Sequence, residues 1–346
     1  MHTLASCDDE RVIAFNSLLP ESAAGLHGIG QDVVIDLLRS RRGCSAPPGA
    51  GKGRRLALLV EGGGMRGVCS AGGLVALDAL GLRNAFEEIY ASSAGAMNVA
   101  YMLSGQATFG IQIYYKNVNN RSFINFLRLN KIVDIDYLFD TVVTKERPLD
   151  TRKLLDAPSD FYIGVVNKTT AETVVLKAQD NPNDILSILK ASTALPVVYN
   201  RSVAVNSNEF IDGGLNHPVP LYEAIERGCT DLLVFLTRPP SYKVEEPPWW
   251  DRWLFSIFCA YNTPALQRAF EEGYCQSDIC RQICLGKLPA PKGVNIATLC
   301  PSDTGTLLSR TTTDRERLKQ SAVELAISTL EQFGEGQELV ADLLRS

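Results

Sequence analysis

Two small-residue knots, each fastened to the end of an apolar run, constrain this chain more than any other feature. Glu61-Gly62-Gly63-Gly64-Met65-Arg66-Gly67 follows directly on Leu56-Ala57-Leu58-Leu59-Val60. Ala91-Ser92-Ser93-Ala94-Gly95 follows on Glu88-Ile89-Tyr90. A short apolar run that stops at small residues reads as a buried strand entering a turn. Each knot therefore sits where a strand ends and a helix begins. The first offers bare backbone N–H groups at a helix start, a place suited to developing negative charge. The second mounts a serine on a tight strand-to-helix turn, with its oxygen exposed for attack. An anion cradle and a turn-mounted serine together are the parts of an acyl-ester hydrolase.

From residue 56 onward, strand-like and helix-like segments alternate. Strands are expected at 56–60, 87–91, 160–166, 172–176, 202–205, 209–211, 231–236 and 294–299. Helices are expected at 67–80, 94–104, 109–117, 182–191, 219–227 and 262–286. Such alternation predicts an α/β fold, three layers with a mainly parallel central sheet. Hairpin turns are expected around Asn167-Lys168-Thr169-Thr170 and Asn206-Ser207-Asn208. A last helix, about 312–333, carries Thr313 and Glu316 as a capping box, Gly334 as its stop and one apolar stripe for docking. The organisation expected is an N-terminal extension and basic Pro/Gly linker at 1–55, a catalytic domain at 56–310, and a docked C-terminal helical segment at 311–346.

Composition narrows the function. The 346 residues are 45% hydrophobic with a net charge of −5, which disfavours nucleic-acid binding by bulk charge. The first fifteen residues lack an apolar core of signal-peptide length, and no stretch approaches the ~20 apolar residues of a membrane span. A cytoplasmic protein, soluble or peripheral to a membrane, is the expectation. The nine cysteines are an odd, scattered set, read as buried or free thiols. Cys275, Cys280 and Cys284 cluster, but without zinc spacing or a nearby histidine. No metal and no organic cofactor is expected. Residues 39–55 are rich in Arg, Lys, Pro and Gly without acids. They read as a solvated basic linker, or as a sensor of anionic headgroups. They do not form a phosphate-binding P-loop, because Ala46 and Gly53 stand where glycine and Ser/Thr are required.

Within the serine knot, Ser93 has Ala91 two residues before it and Gly95 two after. Ser92 would have Tyr90 and Ala94, so Ser92 fails on size. The chain has three histidines: His2, His27 and His217. Asp212 ends an apolar strand and is followed by Gly213 and Gly214, which let other backbone approach it. Scarcity of histidine favours a Ser93–Asp212 dyad, with Asp212 otherwise a turn aspartate and His217 a loop residue. Gly62, Gly63, Gly64 and Gly67 supply unobstructed N–H groups, and Arg66 adds positive charge. A lone glycine loop could also hold a nucleotide phosphate, but the spacing is not G-x-G-x-x-G.

These blocks, in this order, resemble the patatin-like phospholipases. The match lies in the G-G-G-x-R-G loop at Gly62–Gly67, the G-x-S-x-G elbow at Ala91–Gly95 and the D-G-G/A motif at Asp212–Gly214. Ala191-Ser192-Thr193-Ala194-Leu195-Pro196 is similar to the family's small-residue/Pro segment. The resemblance covers about residues 56–240, thins over 241–310 and is absent from 1–50. It implies that Ser93 is the nucleophile, Asp212 the second dyad member and Gly62, Gly63, Gly64, Arg66 and Gly67 the oxyanion hole. It implies a lipid ester as substrate. Ala91 departs from the family's first elbow glycine, and the turn is expected to survive with strain or lower activity. That departure leaves two alternatives: a weak or inactive patatin-fold lipid-binding module, and an acyltransferase.

All three tryptophans fall in Pro247-Pro248-Trp249-Trp250-Asp251-Arg252-Trp253. Trp249, Trp250 and Trp253 read either as a packed helix start or lid, or as a peripheral membrane contact. Asn125-Phe126-Leu127-Arg128-Leu129 is a weaker segment of the same kind.

Overall fold

The computed structural model describes residues 30–49, 53–128, 131–196, 198–215, 218–244, 246, 249–258, 263–303 and 305–340. Its strands form one sheet: β1 (Leu56–Val60), β2 (Glu88–Ser92), β3 (Asp160–Asn167), β4 (Thr173–Lys177), β5 (Val203–Val205), β6 (Asn208–Asp212), β7 (Asp231–Phe235) and β8 (Asn295–Leu299). The order is β5-β6-β3-β2-β1-β7-β8, with β4 also paired to β3. Strands β3, β2, β1, β7 and β8 run parallel, and β4 and β6 run antiparallel to β3.

β1 is apolar throughout because both its faces are covered, as parallel strands require. Alternate residues feed two cores. Leu56, Leu58 and Val60 join one with Val34, Leu74, Val99 and Leu325. Ala57 and Leu59 join the other with Tyr90, Leu221, Val234 and Ile283. The first core is roofed by helices Gln31–Ser40, Val68–Ala79, Ala94–Leu103 and Arg315–Glu331. The second is roofed by Leu221–Glu226 and Pro264–Cys284. The result is the α/β/α sandwich that the alternation predicts. The last helix lies directly on Val68–Ala79: a Cβ on Gly72 would fall 2.0 Å from the Ala322 carbonyl oxygen. Only glycine permits that approach.

Both hairpins form. Asn167 Oδ1 accepts the Thr169 and Thr170 N–H groups, and Asn206 and Ser207 take positive φ values of 46° and 67°.

Four expectations need correction. The last helix is capped by Asp314, whose carboxylate accepts the Glu316 and Arg317 N–H groups, and not by Thr313. The described arginines of the basic stretch are not simply solvated. Arg41 is buried and donates to Ala85 O and to Glu87, each at 2.7 Å. Arg54 pairs with Asp231 and Arg55 with Glu88. Both acids are wholly buried at the starts of their strands and need a cation. Short helical pieces also fill 135–155, where no periodic pattern announced them. Asp134 and Asp150 cap two of them by accepting the Tyr137 and Lys153 N–H groups. Finally, Trp249–Phe258 is a helix on which Trp249 and Trp253 are exposed, so neither is core packing.

Candidate active site

The elbow begins where β2 must turn back over the sheet into helix Ala94–Leu103. Ser93 makes the turn at φ 55° and ψ −133°, a positive φ carried by a non-glycine residue. Such strain persists only where the surroundings enforce it. They do so by crowding. A Cβ on Gly95 would lie 2.6 Å from Val60 O, and one on Gly67 would lie 2.8 Å from Ala94 Cβ. Ser92 is fully buried and its Oγ has no partner among the described residues. Ala91 is an ordinary strand residue, in register with Val60 and Ile163 and without positive φ. The strain expected at Ala91 therefore sits at Ser93 instead.

Asp212 reaches Ser93 through strand register. β4 occupies one edge of β3, while β2 and β6 share the other. Gly164 of β3 pairs with Ser92, and the next residue, Val165, pairs with Asp212. The ends of β2 and β6 therefore abut. Two glycines make room: a Cβ on Gly164 would strike Ser92 Oγ at 2.3 Å, and one on Gly213 would strike Gly164 O at 2.3 Å. Ser93 Oγ donates to Asp212 Oδ2 at 2.8 Å, and Asp212 Oδ1 accepts the Gly214 N–H at 2.7 Å. Burial pushes the Asp212 carboxyl up to about 6, while the Gly214 N–H, the Ser93 hydroxyl and Arg310 pull it down.

The segment 191–196, whose residues had no assigned task, holds both partners. Ser192 Oγ accepts the Ser93 N–H at 2.8 Å, and Ala194 O accepts the Asp212 N–H at 3.1 Å.

The glycine loop lies against the elbow. A Cβ on Gly62 would be 2.7 Å from Ser93 Cβ. Thr237 Oγ1 donates to Gly62 O at 3.1 Å, so the planar peptide turns the Gly63 N–H to the opposite side. Among the described residues no acceptor takes the Gly62 or Gly63 N–H. Gly64 has φ 57°, and the neighbouring Met65 N–H donates to Arg310 O at 3.0 Å. Gly67 serves the contact with the elbow helix: its carbonyl accepts Asn98 Nδ2 at 2.8 Å, and Tyr114 steadies Asn98. Arg66 is 4% exposed, and burial lowers its guanidinium to about 9.

Thr237, Arg238 and Arg310 were not singled out from the sequence, since no motif marks them. His2, His27 and His217 lie outside the described residues. Cys280 and Cys284 are buried in the second core. Among the described residues no group of three His, Cys, Asp or Glu is arranged to hold a metal ion. No helix there is long and apolar enough to cross a membrane.

Residues 58–225 match the family model for patatin-like phospholipase. It is similar to the uncharacterized protein YjjU of Escherichia coli K12, at 30% identity over 210 residues. The match covers 58% of this chain and 57% of that relative, so the chain spans little more than half of that protein's length. Among solved structures it is similar to VipD from Legionella pneumophila, at 12% identity and a TM-score of 0.38, over 84% of this chain and 79% of that one.

Proposed function

We propose that this protein is a serine acyl-ester hydrolase that releases fatty acid from phospholipid, lysophospholipid or other lipid esters. One observation carries the reading: a buried carboxylate 2.8 Å from the oxygen of a serine held at positive φ beside a glycine loop. The match of residues 58–225 to the patatin-like phospholipase model supports a lipid substrate.

In this mechanism Asp212 accepts the Ser93 proton as Oγ bonds to the acyl carbonyl carbon. The carbonyl electron pair moves onto oxygen and is met by N–H groups of Gly62–Gly64. One well-aimed donor contributes about 3 kcal/mol to such a step. The intermediate collapses, the ester C–O bond breaks, and the leaving alcohol takes the proton from Asp212. Water then attacks acyl-Ser93, gives its proton to Asp212 and releases the fatty acid, and Ser93 recovers its hydrogen. The reaction draws on no cofactor. Trp249 and Trp253, exposed on one helix, supply a peripheral contact with the lipid surface.

The test is incubation of the purified protein with mixed lipid extract, with mass spectrometry of the products. Fatty acid and lysolipid released by the wild type and not by Ser93→Ala are expected. Acyl groups recovered on an added alcohol instead would make the protein an acyltransferase. Absence of turnover on every lipid class would make it a binding module.

A further inference from the structure

The peptide between Gly62 and Gly63 has no side chain on either side to fix it. Glycine backbone turns freely, so this unit can present either its N–H or its carbonyl oxygen to the site. The two orientations have opposite effects. An N–H stabilises a developing oxyanion, whereas a carbonyl oxygen repels it. The choice has to be made by something outside the loop.

Strand register supplies it. Val60 pairs with Phe235, so the chain leaving β7 runs beside the chain leaving β1, and Thr237 arrives next to Gly62. Thr237 is buried. Its Oγ1 donates to Gly62 O at 3.1 Å and to Glu61 Oε2 at 2.8 Å, one hydrogen shared between two acceptors. The Thr237 N–H donates to the same Glu61 oxygen, which pins the threonine backbone. A Cβ on Gly63 would lie 3.0 Å from Thr237 Oγ1, so the hydroxyl sits against the peptide itself. The next carbonyl is also held, since Gly63 O accepts the Arg66 N–H at 3.2 Å.

The segment that carries Thr237 is fixed independently of the loop. Arg281, almost wholly buried on helix Pro264–Cys284, donates to the carbonyls of Arg238 at 3.1 Å, of Pro239, and of Tyr242 at 3.4 Å. A buried guanidinium that gathers three carbonyls keeps the residues after Thr237 from swinging away. Thr237 therefore stands on a rigid base beside a loop that cannot fix its own first peptide.

We infer that Thr237 is a positioning residue for the oxyanion loop: its hydroxyl latches the Gly62 carbonyl toward β7 and so keeps the Gly63 N–H on the opposite side, free for the oxyanion. The inference rests on the hydrolase reading. Thr237 acts through the loop and lies beyond residues 58–225, the part that matches the family model.

Steady-state kinetics on 4-nitrophenyl butyrate, a small soluble ester, read the latch without a lipid surface. Thr237→Val keeps the shape of the side chain and removes its hydroxyl. Its kcat should fall about a hundredfold, the weight of one oxyanion donor, with KM changed less than about threefold. Thr237→Ser restores the hydroxyl and should recover most of the wild-type kcat. Thr329→Val removes another buried threonine hydroxyl, bonded to Leu325 O on the last helix, and should leave kcat unchanged. Octylboronic acid gives a readout that needs no turnover. Its boron bonds to Ser93 Oγ, the proton passes to Asp212, and a boron-bound oxygen is left where the oxyanion forms. The inhibition constant should rise in Thr237→Val by about the factor that kcat falls, and return in Thr237→Ser. Equal kcat in wild type and Thr237→Val overturns the latch and leaves the hydrolase reading standing. So does a loss of melting temperature with kcat and boronate binding intact, which would make the hydroxyl a structural bond only. A Thr237→Ser variant as slow as Thr237→Val likewise overturns it. A wild type that turns over no ester and binds no boronate sinks the hydrolase reading, and the latch with it.

Discussion

The Ser192 hydroxyl accepts the backbone N–H of Ser93 at 2.8 Å and donates to the Gly164 carbonyl at 2.7 Å. One buried side chain thereby ties the turn after β2 to the middle of β3, on the edge where Asp212 arrives. The strained serine is held from behind, by a residue about a hundred positions further along the chain.

Ser192→Ala should leave the Ser93 N–H buried without an acceptor, a loss of about 1–3 kcal/mol. If Ser192 positions the nucleophile, kcat should fall at least tenfold with KM little changed. Ser192→Cys, a weaker acceptor of similar shape, should fall between the two. A loss of thermal stability with kcat intact would reduce Ser192 to a structural role.

The parallel strands were legible because each is a short run dominated by apolar residues, with β1 and β2 closed by small-residue knots, and the helices that follow those two because they are long runs of small and apolar residues, buried almost all round. The short helical pieces across 135–155 escaped because side-chain caps at Asp134 and Asp150, not periodicity, define them. The three blocks that carry Ser93, Asp212 and the glycine loop stand out because turns this tight admit only small residues. Their convergence depends on β2 and β6 sharing one edge of β3, a long-range register that no local pattern encodes. Ser192, Thr237 and Arg310 were silent for the same reason: each matters only through what folding brings beside it.

Ser93→Ala should abolish ester hydrolysis and leave the fold intact, since it removes one oxygen from the end of a strand. Ser92→Ala should be nearly silent in rate. The Ser92 hydroxyl is buried without a partner, so its removal should be neutral or slightly stabilising. Rates and melting temperatures of the two variants check the register of the elbow, and a reversed pattern would move the nucleophile to Ser92.

Asp212 gives activity and stability opposite responses to pH. As proton acceptor it must be ionised, so kcat/KM should rise about tenfold per pH unit below about 6 and level off above. Its folded pKa lies above 3.8, the ordinary value of an aspartate, so the ionised group destabilises the fold. That penalty is absent below 3.8, grows through the interval and is complete above about 6. Asp212→Asn should therefore lose on the order of 10³ in rate. It should also gain on the order of 2 kcal/mol in stability at pH 8 and almost nothing at pH 3. Denaturant titrations at the two pH values measure the second effect. A rate profile flat between pH 5 and 7 would remove Asp212 as the base.

Ala91→Gly tests whether the departure from the family's elbow matters. Ala91 is paired on both sides and fully buried, and Ser93 bears the positive φ. Glycine therefore has no strain to relieve. The variant should keep its kcat and lose about 0.5–1 kcal/mol, the usual cost of glycine inside a strand. A rise in kcat would show that the alanine methyl group does hold back the wild-type elbow.

Trp249 and Trp253 are 73% and 57% exposed, one helical turn apart on the same face of Trp249–Phe258. Phe255, on the opposite side, is wholly buried and stacks on Phe270 at 4.1 Å, so the helix is anchored by one face and presents the other. An exposed indole favours the lipid–water interface because its ring is apolar while its N–H still meets the wet headgroup zone. Adding liposomes should shift the tryptophan fluorescence to the blue. The Trp249→Ala/Trp253→Ala double variant should lose that shift, and with it most activity on vesicles, while hydrolysis of a small soluble ester stays near wild type. The exposed Phe126 and Leu127 offer a second apolar contact, and Phe126→Ser/Leu127→Ser should weaken vesicle activity further if both segments meet the same surface. Equal losses on vesicles and on the soluble ester would place the tryptophan helix in support of the active site rather than at the lipid surface.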